Sequence, residues 1–478
     1  MPPIRDVMRH DLTALHAFIE SIVEGIADRR SSAVYSSAAT RFFEEFVCPL
    51  AKCCEEYIEG WAVKDYEDFE DRRGELEEMR AHWRELHTLV KPALDADTLQ
   101  VPSAVVGGII RRFKELPGCS EAEFALFHTS EFNYIQVQTA DLKELAGKFR
   151  AIVPNAPAFP NNLGLIGMPY SQGRTAFANC LVAHEMGHCL YRGMAAERRV
   201  WEEIRSACAA LPADVSQSDK DTLIKQMTLW AGEIFCDLFA AMLVGPCYTY
   251  AYIEAYDLSV ILDSEGQISN VRFNPRLKFY AKHPSHLYRL QQQAILLRES
   301  PWWDRVAKIN SRSSALLTVV KDIENQTHVA NNPKFGKFIP VLDAILPIIR
   351  GELGKAFDGV DDEYTTFSIA NSTIQDYLAN GVVPSTINVR TGKKPEDTTT
   401  VPASPVVLLN SGMEFYLTRV DGLIASIPGE VQCSSSRRLH WIRRVEEWVA
   451  KAIEDRSLET GACDGDSIGS NDQETSQI

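Results

Sequence analysis

The sequence has no CxxC pair, no internal repeat and no run of eighteen uninterrupted apolar residues. Lacking such a run, it is not expected to contain a membrane-spanning helix. The first residues, MPPIRDVMRHDL, have no apolar core of the kind a secretory signal requires, so none is expected. Eleven scattered cysteines, an odd number without paired spacing, then read as reduced and mostly buried thiols, and the cytoplasm is the expected compartment. Dense basic runs are also missing. Beyond Arg437–Arg438 and Arg443–Arg444, which read as the wet face of a last helix, no Lys/Arg cluster stands out. Net charge is −16, from 49 basic and 65 acidic residues. Neither a nucleic-acid nor a membrane partner is expected from that balance.

What is present is an ordinary folded composition, 45% hydrophobic and 24% charged, over 478 residues. That length exceeds what one compact core usually holds. Residues 1–123 read as helical. Apolar positions recur at three and four (Leu15, Phe18, Ile19, Ile22; Phe42, Phe43, Phe46, Leu50), and KDYEDFEDRRGELEEMRAHWREL is a charge-laced, solvent-facing helix. From 124 the texture is mixed. FHTSEFNYIQVQT holds one or two strands, and LGLIGMPY reads as a short strand with an edge open to substrate pairing. Residues 301–457 are mostly helical, apart from a polar loop at 380–405 rich in Pro and Thr. The acidic tail, 458–478, has almost nothing to bury and is expected to be disordered. The fold class is therefore mainly α (α+β).

Residues 181–193 read LVAHEMGHCLYRG. On a helix, positions i and i+4 lie about 40° apart around the axis, so His184 and His188 present their rings to one point. Glu185 lies about 100° on from His184, beside that point rather than on it. Two imidazoles to bind zinc and a carboxylate to take a proton from water is the arrangement a metallopeptidase helix needs. Gly193 is placed to end the helix. The motif alone turns up by chance too often to identify an enzyme, so a third ligand is required.

The extended form HExxHxxGxxH is excluded, because Tyr191 and Met194 stand where Gly and His would be. A glutamate from a second helix is the other completion. In WAGEIFCDLFAAMLVGP, Glu233 and Asp237 share one face of a helix that is apolar on nearly all sides and hence buried. Two carboxylates there are costly unless something pairs with them. A metal on Glu233, with Asp237 accepting the N–H of a ligand histidine, would resolve that cost; pairing with Arg or Lys across a helix interface would too. Ser218 with Asp221 resembles a capping box opening this helix, and Gly245–Pro246 closes it. Further on, HPSHLYRL puts His283 before Pro284, in the first turn of a helix that carries Arg289.

The ordered set HExGH, ExxxD and HPxxxxR resembles the gluzincin-type zinc metallopeptidases. More narrowly it is similar to the core of the membrane-bound heat-shock and prenyl-protein peptidase family, over residues 175–295. Those relatives span membranes, and their second motif commonly reads ExxAD where this chain has Cys236. The resemblance implies a zincin-like catalytic core with a small sheet at 124–300, flanked by the helical regions. It implies Zn2+ on His184, His188 and Glu233, Asp237 orienting a ligand, and Glu185 as general base for hydrolysis of a peptide or protein substrate. Arg289, His283 and the tyrosines Tyr248, Tyr250 and Tyr252 are the candidate donors to the oxyanion, with Arg289 and His283 first. For Arg289 a salt bridge to Asp237 is the equal alternative. Two other readings stay open: a catalytically silent helical interaction protein with a structural or vestigial metal, and a regulatory peptidase with one dedicated protein substrate.

Overall fold

The computed structural model describes residues 13–15, 17–18, 20–21, 41–61, 66–95, 103–129, 135–137, 139–160, 162–169, 175–193, 195–213, 215–255, 284, 286–306, 339–360, 363–390, 398–401, 403–426 and 435–459. His283 and all but the first two residues of the acidic tail lie outside them. In chain order the elements are α1 (Cys48–Glu59), entered through a π-helical turn at Phe42–Val47, α2 (Tyr66–Asp95), α3 (Ser103–Lys114), β1 (Glu123–Thr129), β2 (Ile135–Val137), α4 (Thr139–Ile152) and β3 (Leu163–Pro169). A 3-10 turn, Ala178–Leu181, then leads into α5 (Val182–Gly193), α6 (Ala195–Ala209), α7 (Gln217–Val244), α8 (Pro246–Ala255), α9 (His286–Arg298) and α10 (Trp303–Val306). The rest are α11 (Ile339–Ala356), α12 (Glu363–Ala379), β4 (Ile387–Arg390), β5 (Thr398–Val401), α13 (Pro405–Thr418), α14 (Val420–Ser426) and α15 (Ser435–Glu459). The fold is mainly α with a small sheet.

The chain divides into two compact units that interleave: residues 1–101 with 121–174, and 102–120 with 175–478. This division does not follow consecutive segments broken at 123 and 300. In the first unit, Phe42 and Phe46 pack with Phe159, and Trp83 of α2 meets Phe149 of α4 edge-on. The charged positions of α2 pair along its outside, as Arg72–Glu75 and Arg73–Glu77 do. The sheet order is β1-β3-β2, with β1 parallel and β2 antiparallel to β3. Of the one or two strands expected in FHTSEFNYIQVQT, both are present, the first beginning earlier at Glu123. LGLIGMP is fully buried, as expected of an apolar run with both faces covered. However, β3 is the central strand, so the open edge expected for substrate pairing is taken by β1 and β2.

The second unit is built on α7. All but one of the residues from Trp230 to Val244 are buried, the exception being Met242, and Tyr191 of α5 stacks obliquely on Phe235. This helix is long and apolar enough to cross a membrane, and 78% of its most apolar window is buried inside the structure. Its cap is Ser216, whose Oγ accepts the Asp219 N–H at 3.1 Å. The helix thus starts two residues before the expected Ser218–Asp221 box. The chemistry is the same, but an additional polar turn precedes the apolar face.

Gly245, at φ 80°, ends α7 in a conformation open to glycine, and α8 starts at once. Asn410 of α13 holds this corner: its Nδ2 donates to Val244 O (2.6 Å) and its Oδ1 accepts from Cys247 N (2.8 Å). The stretch 380–405, expected to be loop, contains the antiparallel β4–β5 pair, where the β-branched Thr398, Thr399 and Thr400 suit a strand.

Glu446 of α15 reaches the turn before α5, where it accepts the Phe177 N–H at 3.4 Å. Burial pushes its carboxyl up to about 8, against the pull of that N–H. Between the ordinary carboxyl pKa and pH 8 the unfolded chain releases a proton that the folded chain keeps, so stability falls as pH rises through this window. Glu446→Gln keeps the acceptor without the charge. We expect it to leave urea stability near pH 4 unchanged and to raise it at pH 8 by about 2–4 kcal/mol. Equal stabilisation at both pH values would contradict this account.

Candidate metal centre

Helices α5 and α7 cross where Gly187 faces Cys236. A Cβ on Gly187 would lie 2.9 Å from Cys236 Cα and 3.1 Å from the Phe239 ring. Only glycine lets the two backbones come this close, and the approach brings three side chains of α7 level with the two histidines of α5. His184 Nε2 lies 3.4 Å from Glu233 Oε2, and His188 Nε2 lies 3.5 Å from Glu233 Oε1. The Cys236 sulfur belongs to the same cluster: its ligand atom and those of His184 and His188 all lie within 4.8 Å of one another. These groups could hold a metal ion.

Behind the imidazoles sits Asp237, 1% exposed. Its Oδ1 accepts from Tyr248 Oη (2.7 Å) and Arg289 Nη2 (2.8 Å) and lies 2.9 Å from His184 Nδ1; its Oδ2 accepts from Arg289 Nε (2.6 Å). Burial alone would raise the carboxyl, but the Arg289 guanidinium, its hydrogen bonds and His184 outweigh burial and hold it well below the carboxylate range. The Arg289 guanidinium is in turn stacked over the Tyr252 ring at 5.2 Å, and Tyr252 Oη is 2.7 Å from His286 Nδ1. Asp237 thus fixes His184 with Nδ1 toward itself and Nε2 toward Glu233. That is the orientation in which a metal-bound imidazole is held by a carboxylate behind it.

The donor set fits a divalent cation in two respects. Ligand atoms about 2.0–2.1 Å from a tetrahedral ion are about 3.3–3.4 Å apart, close to the two Glu233–histidine distances. At the site Glu185, Glu233 and Asp237 are all buried, against the buried guanidinium of Arg289. At their ordinary charges these four groups leave two negative charges, which a dication neutralises. Burial lowers the His184 pKa, but the hydrogen bonds to Asp237 and Glu233 more than reverse that and raise it to about 10. At neutral pH a proton therefore stands where the cation would bind and must leave as it enters.

The expected residues meet unevenly. His184, His188, Glu233 and Asp237 converge, and Glu185, 7% exposed, is close enough for its charge to act on the Cys236 thiol. The hydrogen bonds of Arg289 run to Asp237, the salt-bridge alternative, with Nη2 leaning toward Glu233 Oε2 at 3.4 Å. Tyr248 also serves Asp237, Tyr252 meets His286, and Tyr250 lies beside Pro246, Trp302 and Met413 in a small cavity. Pro284 precedes α9, which starts at His286, so it lies just outside the first turn where it was expected. Two contributors escaped sequence reasoning. Cys236 was legible only as a departure from ExxAD, and the Tyr252–His286 pair had no motif to mark it.

Two substitutions test this arrangement. Gly187→Ala forces the crossing apart and should lower the denaturation midpoint by the equivalent of about 1–3 kcal/mol, despite alanine's better helix propensity. Asp237→Leu strips the buried Arg289 of its hydrogen-bonded carboxylate, leaving only the 3.4 Å approach to Glu233, and should cost about 3–5 kcal/mol in urea unfolding; adding Arg289→Met should recover a large part of it. An additive double variant would mean that the two side chains do not act as a pair. Comparisons of the chain with protein-family models, curated proteins and solved structures find no match.

Proposed function

We propose that the chain is a zinc-dependent peptidase of the gluzincin type, with a zincin-like core around α5 and α7. The observation that carries this reading is the placing of both histidine Nε2 atoms against the two Glu233 oxygens, with Asp237 locking the His184 ring from behind. Zinc fits a donor set of two imidazoles and a carboxylate, and when bound it supplies a Lewis acid that lowers the pKa of water to about 7. His184, His188 and Glu233 hold the ion. Glu185 takes the proton of the attacking water and returns it to the leaving amine. Arg289 and Tyr248 act through Asp237: they keep its carboxylate charged and oriented, so that His184 stays in one tautomer. His283 remains a candidate donor to the oxyanion. The substrate is a peptide or protein backbone.

The test is zinc content together with cleavage of a peptide library, for the wild type and Glu185→Gln. The variant keeps about one zinc per chain and loses cleavage by at least about a hundredfold, because only the proton carrier is removed. A wild type that binds no zinc overturns the reading. So does a variant that cleaves as fast as the wild type.

A further inference from the structure

Cys236 lies three residues after Glu233 and one before Asp237, so α7 turns all three toward α5. Its position is set by the tight Gly187–Cys236 crossing, and its sulfur is clustered with the two imidazoles within 4.8 Å. The thiol is completely buried. Alanine would satisfy the packing at this crossing, since the contact to Gly187 is made by Cys236 Cα and Cβ. The sulfur is therefore an addition to the site.

We propose that Cys236 is a fourth protein ligand of the metal, competing with water for the position at which catalysis occurs. The proposal rests on the zinc reading above and deepens it. With two imidazoles, one carboxylate and one thiolate the tetrahedral set is closed, as in structural zinc sites; with the sulfur withdrawn it has the three ligands and open position of a catalytic one. When sulfur binds, the S–H bond breaks, the S–metal bond forms and the bond from metal to water breaks. The proton passes to the Glu185 carboxylate and on to solvent. No electrons are exchanged, and the reverse step restores the thiol and the open position. In the sulfur-bound state the enzyme is held partly latent by its own core helix.

The experiment is X-ray absorption at the zinc edge on the full chain, for wild type, Cys236→Ala, Cys236→Ser and Cys189→Ala. Cys189 follows His188 directly and is the obvious rival source of sulfur. The wild type shows one sulfur at about 2.3 Å, beside nitrogen and oxygen at about 2.0–2.1 Å. That shell is lost in both Cys236 variants, with zinc still bound, and kept in Cys189→Ala. Peptide cleavage by Cys236→Ala rises above the wild-type rate. A wild-type spectrum with only nitrogen and oxygen overturns the proposal and leaves the peptidase reading standing. Loss of the shell in Cys189→Ala also overturns it. A wild type that takes up no zinc sinks both.

Discussion

The second unit depends on one carboxylate. Asp237 is buried, ionised and shared among a guanidinium, a phenol and an imidazole. Each of these groups would be expensive to bury alone, and together they satisfy one another. Their elements differ: Asp237 is on α7, Tyr248 on α8, Arg289 on α9 and His184 on α5. A single buried charge thus fixes four helices relative to one another. It also sets the His184 ring as part of the same constraint. Stability and site geometry are one problem here, because the interaction that orders the core orders the imidazole.

Glu233 is the opposite case. It too is buried on the same helix face, yet its two oxygens are directed at two histidines. Arg289 is already bound by Asp237 and approaches Glu233 at 3.4 Å with one nitrogen. The carboxylate pair on α7 is therefore divided: one oxygen pair faces a permanent cation supplied by the protein, the other the two imidazoles of α5. Spacing of four residues puts both on one face, and the identity of the helix packed against each decides which is which.

Much of this was legible in the sequence, for physical reasons that can be named. Helical spacing of His184 with His188 and of Glu233 with Asp237 turns each pair to one side, and an apolar surround announces burial. Gly193 falls at the end of α5, and Gly245 ends α7 by its backbone freedom. Legibility failed where neighbours in space decided the outcome. LGLIGMP reads as a strand from its own residues, but its central position depends on which segments pair with it. The Thr-rich stretch near 400 looks like loop because its pairing partner, INVR, lies beyond the polar sequence TGKKPED. Whether Arg289 faced substrate or Asp237 was undecidable from spacing alone, since HPxxxxR fixes only its place on a helix. Cys236 was visible as a letter that did not fit, and its meaning came from the glycine opposite.

The interleaving of the two units has a consequence for the order in which the protein takes shape. Helix α3 is made early, yet a Cβ on its Gly108 would touch Pro405 of α13 and Ile453 of α15. Both partners are synthesised hundreds of residues later, and contacts that distant in sequence form slowly. Glu446, which accepts the N–H just ahead of α5, comes from the same late helix. During synthesis the histidine helix therefore emerges long before the elements that seat its first turn. The nascent chain thus carries His184 and His188 well before the contact from Glu446 can form, because α15 is the last described element to be made.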